Sequence, residues 1–115
     1  GGDGADILAG GAGSDSFVFS SLLDPGNIDT ISDYFAPYDT MRLDDAIFSA
    51  LAAGTLSSAA FRIGSAAADA SDRIIYDAAT GAVYYDSDGI GGNAAQQFAT
   101  LSIGLSLTNS DFFVF

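Results

Sequence analysis

The chain contains no cysteine, histidine, lysine, glutamate or tryptophan. Without cysteine it forms no disulfide, which fits a cytosolic protein or an exported protein that does not rely on disulfides. Without histidine and cysteine it cannot build Ser-His or Cys-His dyads or the usual zinc sites. Two aspartates could act as a glycosidase pair, but turns explain their positions. We therefore expect no catalytic residues here, and we expect any active site of a parent enzyme to lie upstream.

Positive charge is also scarce, because three arginines stand against 15 aspartates and give a formal net charge of −12. This sign opposes the phosphate attraction that drives nucleic-acid binding, and it disfavours an anionic membrane surface. There is no apolar run of about 18 residues, so we expect no membrane insertion. Hydrophobic residues still make up 49% of the chain, enough for a packed core. Bound cations would relieve the repulsion among the carboxylates.

The chain opens with two nine-residue repeats, residues 1–9 and 10–18, which both fit G-G-x-G-x-D-x-U-x with U a large apolar residue. This is the calcium-binding β-helix repeat. Its glycines allow positive φ, so the backbone can turn its carbonyls to a common point, and its aspartate adds a charged oxygen that suits Ca²⁺. The expected calcium ligands in the two repeats are Gly2, Gly4, Asp6, Gly11, Gly13 and Asp15.

The aspartate phase of the repeats continues at Asp24 and Asp33. Two nonapeptides make one coil of such a helix, so turns two repeats apart stack on the same edge. This stacking would pair Asp6 with Asp24 and Asp15 with Asp33, with calcium between the stacked turns. Repeats of this type need neighbours for stability. The chain starts on a repeat, without a methionine or a signal-peptide pattern, so we expect it to be part of a longer repeat protein.

Turn residues and short apolar runs predict a β-rich fold. Strands are expected at residues 7–9, 16–20, 29–34, 40–43, 61–64, 73–77, 82–86, 98–103 and 112–115. Residues 73–77 and 82–86 should form a hairpin, with Gly81 supplying a positive φ. A short helix is predicted over residues 46–54, because acidic residues stand at the start of this segment and Gly54 stands at its end. We expect an all-β chain, in which residues 1–45 end a parallel β-roll and residues 46–115 form a β-rich cap with an antiparallel hairpin and one short helix.

Further motifs lie beyond the repeats. Residues 28–34 and 39–43 follow D-x-I-x-D-F…D-x-I-x-L, with Tyr34, Met41 and Arg42 as small departures. Other matching segments are residues 61–64, 72–77, 80–86 and 88–89. Together with the repeats, these segments make nearly the whole chain resemble the C-terminal region of bacterial RTX (repeats-in-toxin) proteins, especially the region shared with serralysin-type secreted proteases.

The resemblance implies a non-catalytic, hemolysin-type calcium-binding module of a larger secreted protein. It implies folding on extracellular calcium, upstream repeats or a catalytic domain in the parent chain, and export by a type I ABC transporter that recognises an uncleaved C-terminal signal. That signal would be an acid followed by apolar residues: Asp111, Phe112, Phe113, Val114 and Phe115. The same segment could be a core strand, and both roles could hold together.

A second acidic segment begins like an EF-hand loop, with Asp86 and Asp88 at its first and third positions. The twelfth position, which needs a bidentate glutamate, is Gln97, so an EF-hand is not expected. A loose calcium site at Asp86 and Asp88 and a plain exit from a strand are the remaining alternatives.

The alternative function is an extracellular carbohydrate- or surface-binding module in which calcium is only structural. Its contacts would come from exposed aromatic residues such as Tyr84 or Tyr85. Aromatic residues at alternating strand positions more often belong to the core.

Overall fold

The computed structural model describes residues 7–8, 15–19, 28–31, 34, 39–48, 51, 53–64, 72–87, 95–105 and 107–115. These residues form ten strands and two 3-10 turns, Ser58–Ala60 and Asn109–Asp111. The strands are β1 (Ile7–Leu8), β2 (Ser16–Phe19), β3 (Asp29–Ile31), β4 (Thr40–Leu43), β5 (Gly54–Thr55), β6 (Phe61–Ile63), β7 (Ile74–Tyr76), β8 (Ala82–Tyr85), β9 (Gln96–Thr100) and β10 (Phe112–Val114). The predicted β-rich fold is confirmed. No helix in this described part is long and apolar enough to span a membrane.

Four strands form one sheet in the order β2-β4-β10-β5. β2, β4 and β10 run parallel, and β5 is antiparallel to β10. Because side chains alternate between the faces of a strand, every second residue of the parallel strands points into the core. The buried residues stack in two rows: Phe17, Met41 and Phe112, then Phe19, Leu43 and Val114.

The other six strands form a mixed sheet in the order β1-β3-β9-β8-β7-β6. β1, β3 and β9 are parallel, β8 is antiparallel to both of its neighbours, and β6 is parallel to β7. The first four strands of the chain therefore alternate between the two sheets. Strands from residues 46–115 extend both sheets, because β9 pairs with β3 and β10 pairs with β4. One cluster of buried hydrophobic side chains contains residues of both sheets, so the two predicted segments share a core.

The predicted hairpin is confirmed as β7 and β8, with Ile74 opposite Tyr85 and Tyr76 opposite Val83. Gly81 ends its turn with φ of +81°. The Gly81 carbonyl accepts a 2.7 Å hydrogen bond from the backbone N–H of Leu101, which brings the two backbones together. A Cβ atom at Gly81 would lie 2.0 Å from the Leu101 carbonyl oxygen. Both the φ angle and the close approach therefore require glycine.

The short helix predicted over residues 46–54 is wrong for the part of that segment that the structure describes. The Asp44 carbonyl accepts a helical hydrogen bond from the N–H of Phe48 (2.9 Å), and the Asp44 side chain caps the turn at the N–H of Ala46 (2.9 Å). The N–H of Leu51 then donates to the Phe48 carbonyl, which is three residues earlier rather than four as in an α-helix. Gly54, at φ of +110°, already belongs to β5. In the described residues the capping pattern therefore starts a turn, and Gly54 belongs to a strand rather than ending a helix.

This turn has a packing role that links the two sheets. Phe48 is fully buried, and its ring meets Tyr85 and Phe98 edge-on at centroid distances of 5.1 and 5.0 Å. Phe98, on β9, also packs edge-on against Phe19 on β2, at 5.2 Å. Edge-to-face contacts of this kind stabilise aromatic pairs beyond their buried area. The turn after β4 therefore packs against the six-stranded sheet, and Phe98 continues the aromatic contacts to β2.

Candidate metal site at the starts of the parallel strands

An aspartate directly precedes each of the three parallel strands of the four-stranded sheet. Asp15 precedes β2, Asp39 precedes β4 and Asp111 precedes β10. Because these strands run in the same direction and in register, the aspartates lie along one edge of the sheet. Asp39 and Asp111 are buried.

Asp15 is joined to the start of β4 by two hydrogen bonds. Its N–H donates to Oδ1 of Asp39 at 3.0 Å, and its carbonyl accepts from the N–H of Thr40 at 2.8 Å. Its carboxylate oxygen Oδ2 is buried and is the only buried side-chain nitrogen or oxygen of the described residues without a hydrogen-bond partner. A buried carboxylate oxygen is unfavourable unless a donor or a cation meets it. The Asp15 carboxylate could therefore accept a further donor or bind a cation.

Tyr34 connects the second and third aspartates. Its hydroxyl lies 2.9 Å from the Asp39 carbonyl oxygen and 3.1 Å from Oδ1 of Asp111, and it can donate its one proton to either. Burial, reinforced by the charge and hydrogen bond of Asp111 and the charge of Asp39, raises the pKa of the Tyr34 phenol far above its usual range. The hydroxyl is therefore a permanent donor that holds this edge together.

The Asp111 carboxylate has a structural role. Its Oδ2 accepts a 2.7 Å bond from the N–H of Thr108, which completes a capping box around the 3-10 turn before β10. Its Oδ1 meets the Tyr34 hydroxyl. Both carboxylate oxygens thus have partners, and Asp111 positions the C-terminal strand rather than offering a free ligand.

The predicted site residues divide into two groups. Asp15, Asp86 and Asp111 to Phe115 are described. The other predicted ligands lie outside the described residues: Gly2, Gly4, Asp6, Gly11, Gly13, Asp24, Asp33 and Asp88. Asp86 is buried at the end of β8, where its N–H donates to the Arg73 carbonyl at 2.8 Å. Within the described residues, no three acidic side chains are grouped as a metal site.

The strand register differs from the expected stacking of turns two repeats apart. Asp39, which follows Asp15 by 24 residues, lies next to it, and the predicted partner Asp33 lies outside the described residues. On the other sheet Ile7 lies opposite Thr30. Sequence reasoning therefore missed Asp39 as the neighbour of Asp15. The sequence signal that could have identified Asp39 is an aspartate immediately before a predicted strand, which recurs at Asp15, Asp39 and Asp111.

The C-terminal segment is a core strand in this structure. β10 lies between β4 and β5, with Phe112 and Val114 fully buried and Phe113 and Phe115 exposed on the opposite face. Tyr85, one of the two aromatic residues considered for ligand binding, is buried against Phe48. Tyr84 is partly exposed.

Replacing Tyr34 with phenylalanine should lower the free energy of unfolding by about 1–2 kcal/mol near neutral pH, because buried acceptors lose their donor. The raised pKa gives this loss a pH dependence. The neutral phenol stabilises the fold fully below the unfolded pKa of about 10, and that contribution is lost as the pH rises further toward the folded pKa. The stability gap between wild type and Tyr34→Phe should therefore narrow above pH 10, as measured by urea unfolding.

The matched control for this substitution is Tyr84→Phe, which removes a hydroxyl that is partly exposed on β8. We expect its stability to stay within about 0.5 kcal/mol of wild type. A Tyr34→Phe deficit no larger than that of Tyr84→Phe would show that the hydroxyl does not hold the edge together.

A scan against protein-family models and a search of curated proteins each found no match to this chain.

Proposed function

We propose that this chain is the end of a calcium-binding parallel β-roll whose β-rich cap carries the C-terminal segment for type I secretion, and that it is non-catalytic and extracellular. The observation that carries the proposal is the buried, unpartnered Oδ2 of Asp15, because Asp15 is the aspartate of the second complete nonapeptide. The parallel pairing of β1 with β3 and of β2 with β4 on two different sheets supports the roll. The sequence resemblance to RTX C-terminal regions supports the secretory role.

Calcium in the second repeat would be held by the Asp15 carboxylate with backbone carbonyls of Gly11 and Gly13. The equivalent ligands of the first repeat would be Asp6, Gly2 and Gly4. When bound, the ion supplies positive charge to carboxylates in a chain of net charge −12. Asp39 and Tyr34 would keep Asp15 in position. The Asp39 carboxylate accepts a hydrogen bond from the Asp15 N–H, and the Tyr34 hydroxyl can donate to the Asp39 carbonyl.

The proposed mechanism links binding to folding. Extracellular calcium near 10⁻³ M meets sites with Kd of about 10⁻⁴–10⁻³ M. Binding to the folded state alone then adds about 0.4–1.4 kcal/mol of stability per site. At the low calcium levels inside a cell this term vanishes, and the chain stays unfolded enough to pass through a transporter. Several stacked sites make folding steep in calcium, whereas two repeats give a shallower response.

The test is a calcium titration of the chain and of Asp15→Ala, followed by circular dichroism and calorimetry with magnesium as the competing ion. Wild type should gain β-structure with calcium and not with magnesium. Asp15→Ala should bind calcium about tenfold or more weakly, because charged ligands set the affinity of such sites. Asp45→Ala removes an exposed aspartate and should behave as wild type. Unchanged affinity in Asp15→Ala, or an equal response to magnesium, would refute the site.

A further inference from the structure

The outer face of the four-stranded sheet carries an open groove with both polar and apolar lining, which the proposed calcium sites do not use. Its volume is about 380 Å³. It is lined by Ser16, Thr40, Arg42, Thr55, Ser110 and Phe113. Five of these residues come from adjacent strands in register, because Ser16 lies opposite Thr40, and Phe113 lies between Arg42 and Thr55. The sixth, Ser110, lies in the 3-10 turn before β10.

Arg42 is the centre of this face. Its guanidinium carbon lies 5.4 Å from the ring centroid of Phe113 and 5.3 Å from that of Phe115. Among the described residues no carboxylate pairs with Arg42, although the chain holds 15 aspartates. Cation–π contact uses the flat face of a guanidinium and leaves its N–H donors for a ligand. Arg42 is thus a positioned cation whose fork of donors suits a carboxylate.

The remaining groove residues narrow the ligand class. Four of the six carry hydroxyl groups, which can donate to and accept from ligand hydroxyls. The Phe113 side chain is 38% exposed, and a ring of this kind can pack against the apolar face of a sugar. A ligand that needs a guanidinium, several hydroxyls and a ring at once is a sugar bearing a carboxylate. We propose that this groove binds a uronic acid residue, with its carboxylate on Arg42 and its hydroxyls on the serine and threonine side chains.

The charge of the chain sets the conditions for binding. A net charge of −12 repels an anionic sugar at long range. At physiological ionic strength the Debye length is about 8 Å, so this repulsion is screened while the direct contact with Arg42 remains. Affinity should therefore rise as salt increases from about 0.01 to 0.15 M, the opposite of binding driven by a basic surface.

The experiment is a titration of the full chain, at fixed calcium and 0.15 M salt, with trigalacturonate and with the neutral galactose trimer as the matched ligand. Binding is followed by calorimetry and by NMR shifts. Trigalacturonate should bind at least about tenfold more tightly than the neutral trimer, because a bidentate charged pair is lost in the latter.

Two arginine variants make the test specific. Arg42→Gln should weaken trigalacturonate binding about tenfold or more, down to the level of the neutral trimer. Arg62→Gln, which changes an exposed arginine on β6 of the other sheet, should leave binding within about twofold. Circular dichroism of each variant verifies folding, and Thr55→Val, at an exposed edge, gives a second groove variant with a smaller loss. Equal binding of both trimers, unchanged binding in Arg42→Gln, or self-association of the chain without ligand binding would overturn the proposal.

This inference and the calcium proposal fail separately. The groove requires the folded sheet, and calcium is held constant in every titration. If Asp15→Ala keeps its calcium affinity but Arg42→Gln loses the sugar, only the calcium site is wrong. The reverse result would leave the calcium site intact and remove the groove.

Discussion

Gly81→Ala is expected to lower the free energy of unfolding by more than about 3 kcal/mol, enough to unfold much of a marginally stable domain. The added Cβ would stand 2.0 Å from the Leu101 carbonyl oxygen, so two backbones that share a hydrogen bond must separate. The residue must also keep φ of +81°, which an L side chain adopts with difficulty. The measurement is urea unfolding followed by circular dichroism and tyrosine fluorescence.

Gly104→Ala separates these two causes. Gly104 has a similar positive φ of +70°, but nothing lies within 4 Å of its added Cβ. Gly104→Ala should therefore lower the free energy of unfolding by only about 1 kcal/mol, which is the contribution of the positive φ alone. Equal losses at Gly81 and Gly104 would show that the close approach to Leu101 does not matter.

Phe112→Ala should destabilise the chain by about 3–5 kcal/mol, as expected for a phenylalanine removed from a packed core. Phe112 is fully buried, lies opposite Met41 in the parallel pairing, and packs against Phe61 with ring centroids 5.4 Å apart. The loss should appear as a lower midpoint in urea with an unchanged slope.

Its neighbour Phe113 is the matched control, because the two residues share a strand but point to opposite faces. Phe113→Ala should cost about 1 kcal/mol or less, mainly through the lost contact with Arg42. If both substitutions had the same small effect, the C-terminal strand would not be part of the stable core.

Local patterns predicted the elements well, because local chemistry controls them. The hairpin of β7 and β8 follows from two apolar runs around Gly81, β4 follows from alternating polar and apolar residues, and β10 follows from a short apolar run. The predicted helix failed for a tertiary reason. Phe48 is drawn into the aromatic contacts with Tyr85 and Phe98, and Gly54 starts a strand that pairs with β10.

Sheet order and the neighbours of Asp15 could not be predicted from local patterns. Nothing near β3 or β4 in the sequence indicates that β9 and β10 lie beside them, because such pairings depend on distant residues. The spacing of the two perfect repeats did not predict the register of β2 and β4, in which Phe17 lies beside Met41 and Phe19 beside Leu43. This register brings Asp39 to Asp15.

Two residues that depart from the D-x-I-x-D-F…D-x-I-x-L pattern make specific contacts in the structure. The Tyr34 hydroxyl supplies the donor that reaches Asp39 and Asp111, which phenylalanine lacks. Arg42 provides the cation on the outer face, held by two aromatic rings. Both are therefore informative positions at which to test what is particular to this chain.

The central place of β10 also determines when the chain can fold. A ribosome makes β4 and β5 well before residues 112–114, so the strand that lies between them is still missing as they emerge. The Tyr34 hydroxyl likewise lacks its hydrogen-bond partner until Asp111, 77 residues later, has been made. Neither sheet can close progressively during translation, since β9 is inserted between β3 and β8 in the same way. Completion of both sheets thus depends on β9 and β10, and such distant pairings slow folding.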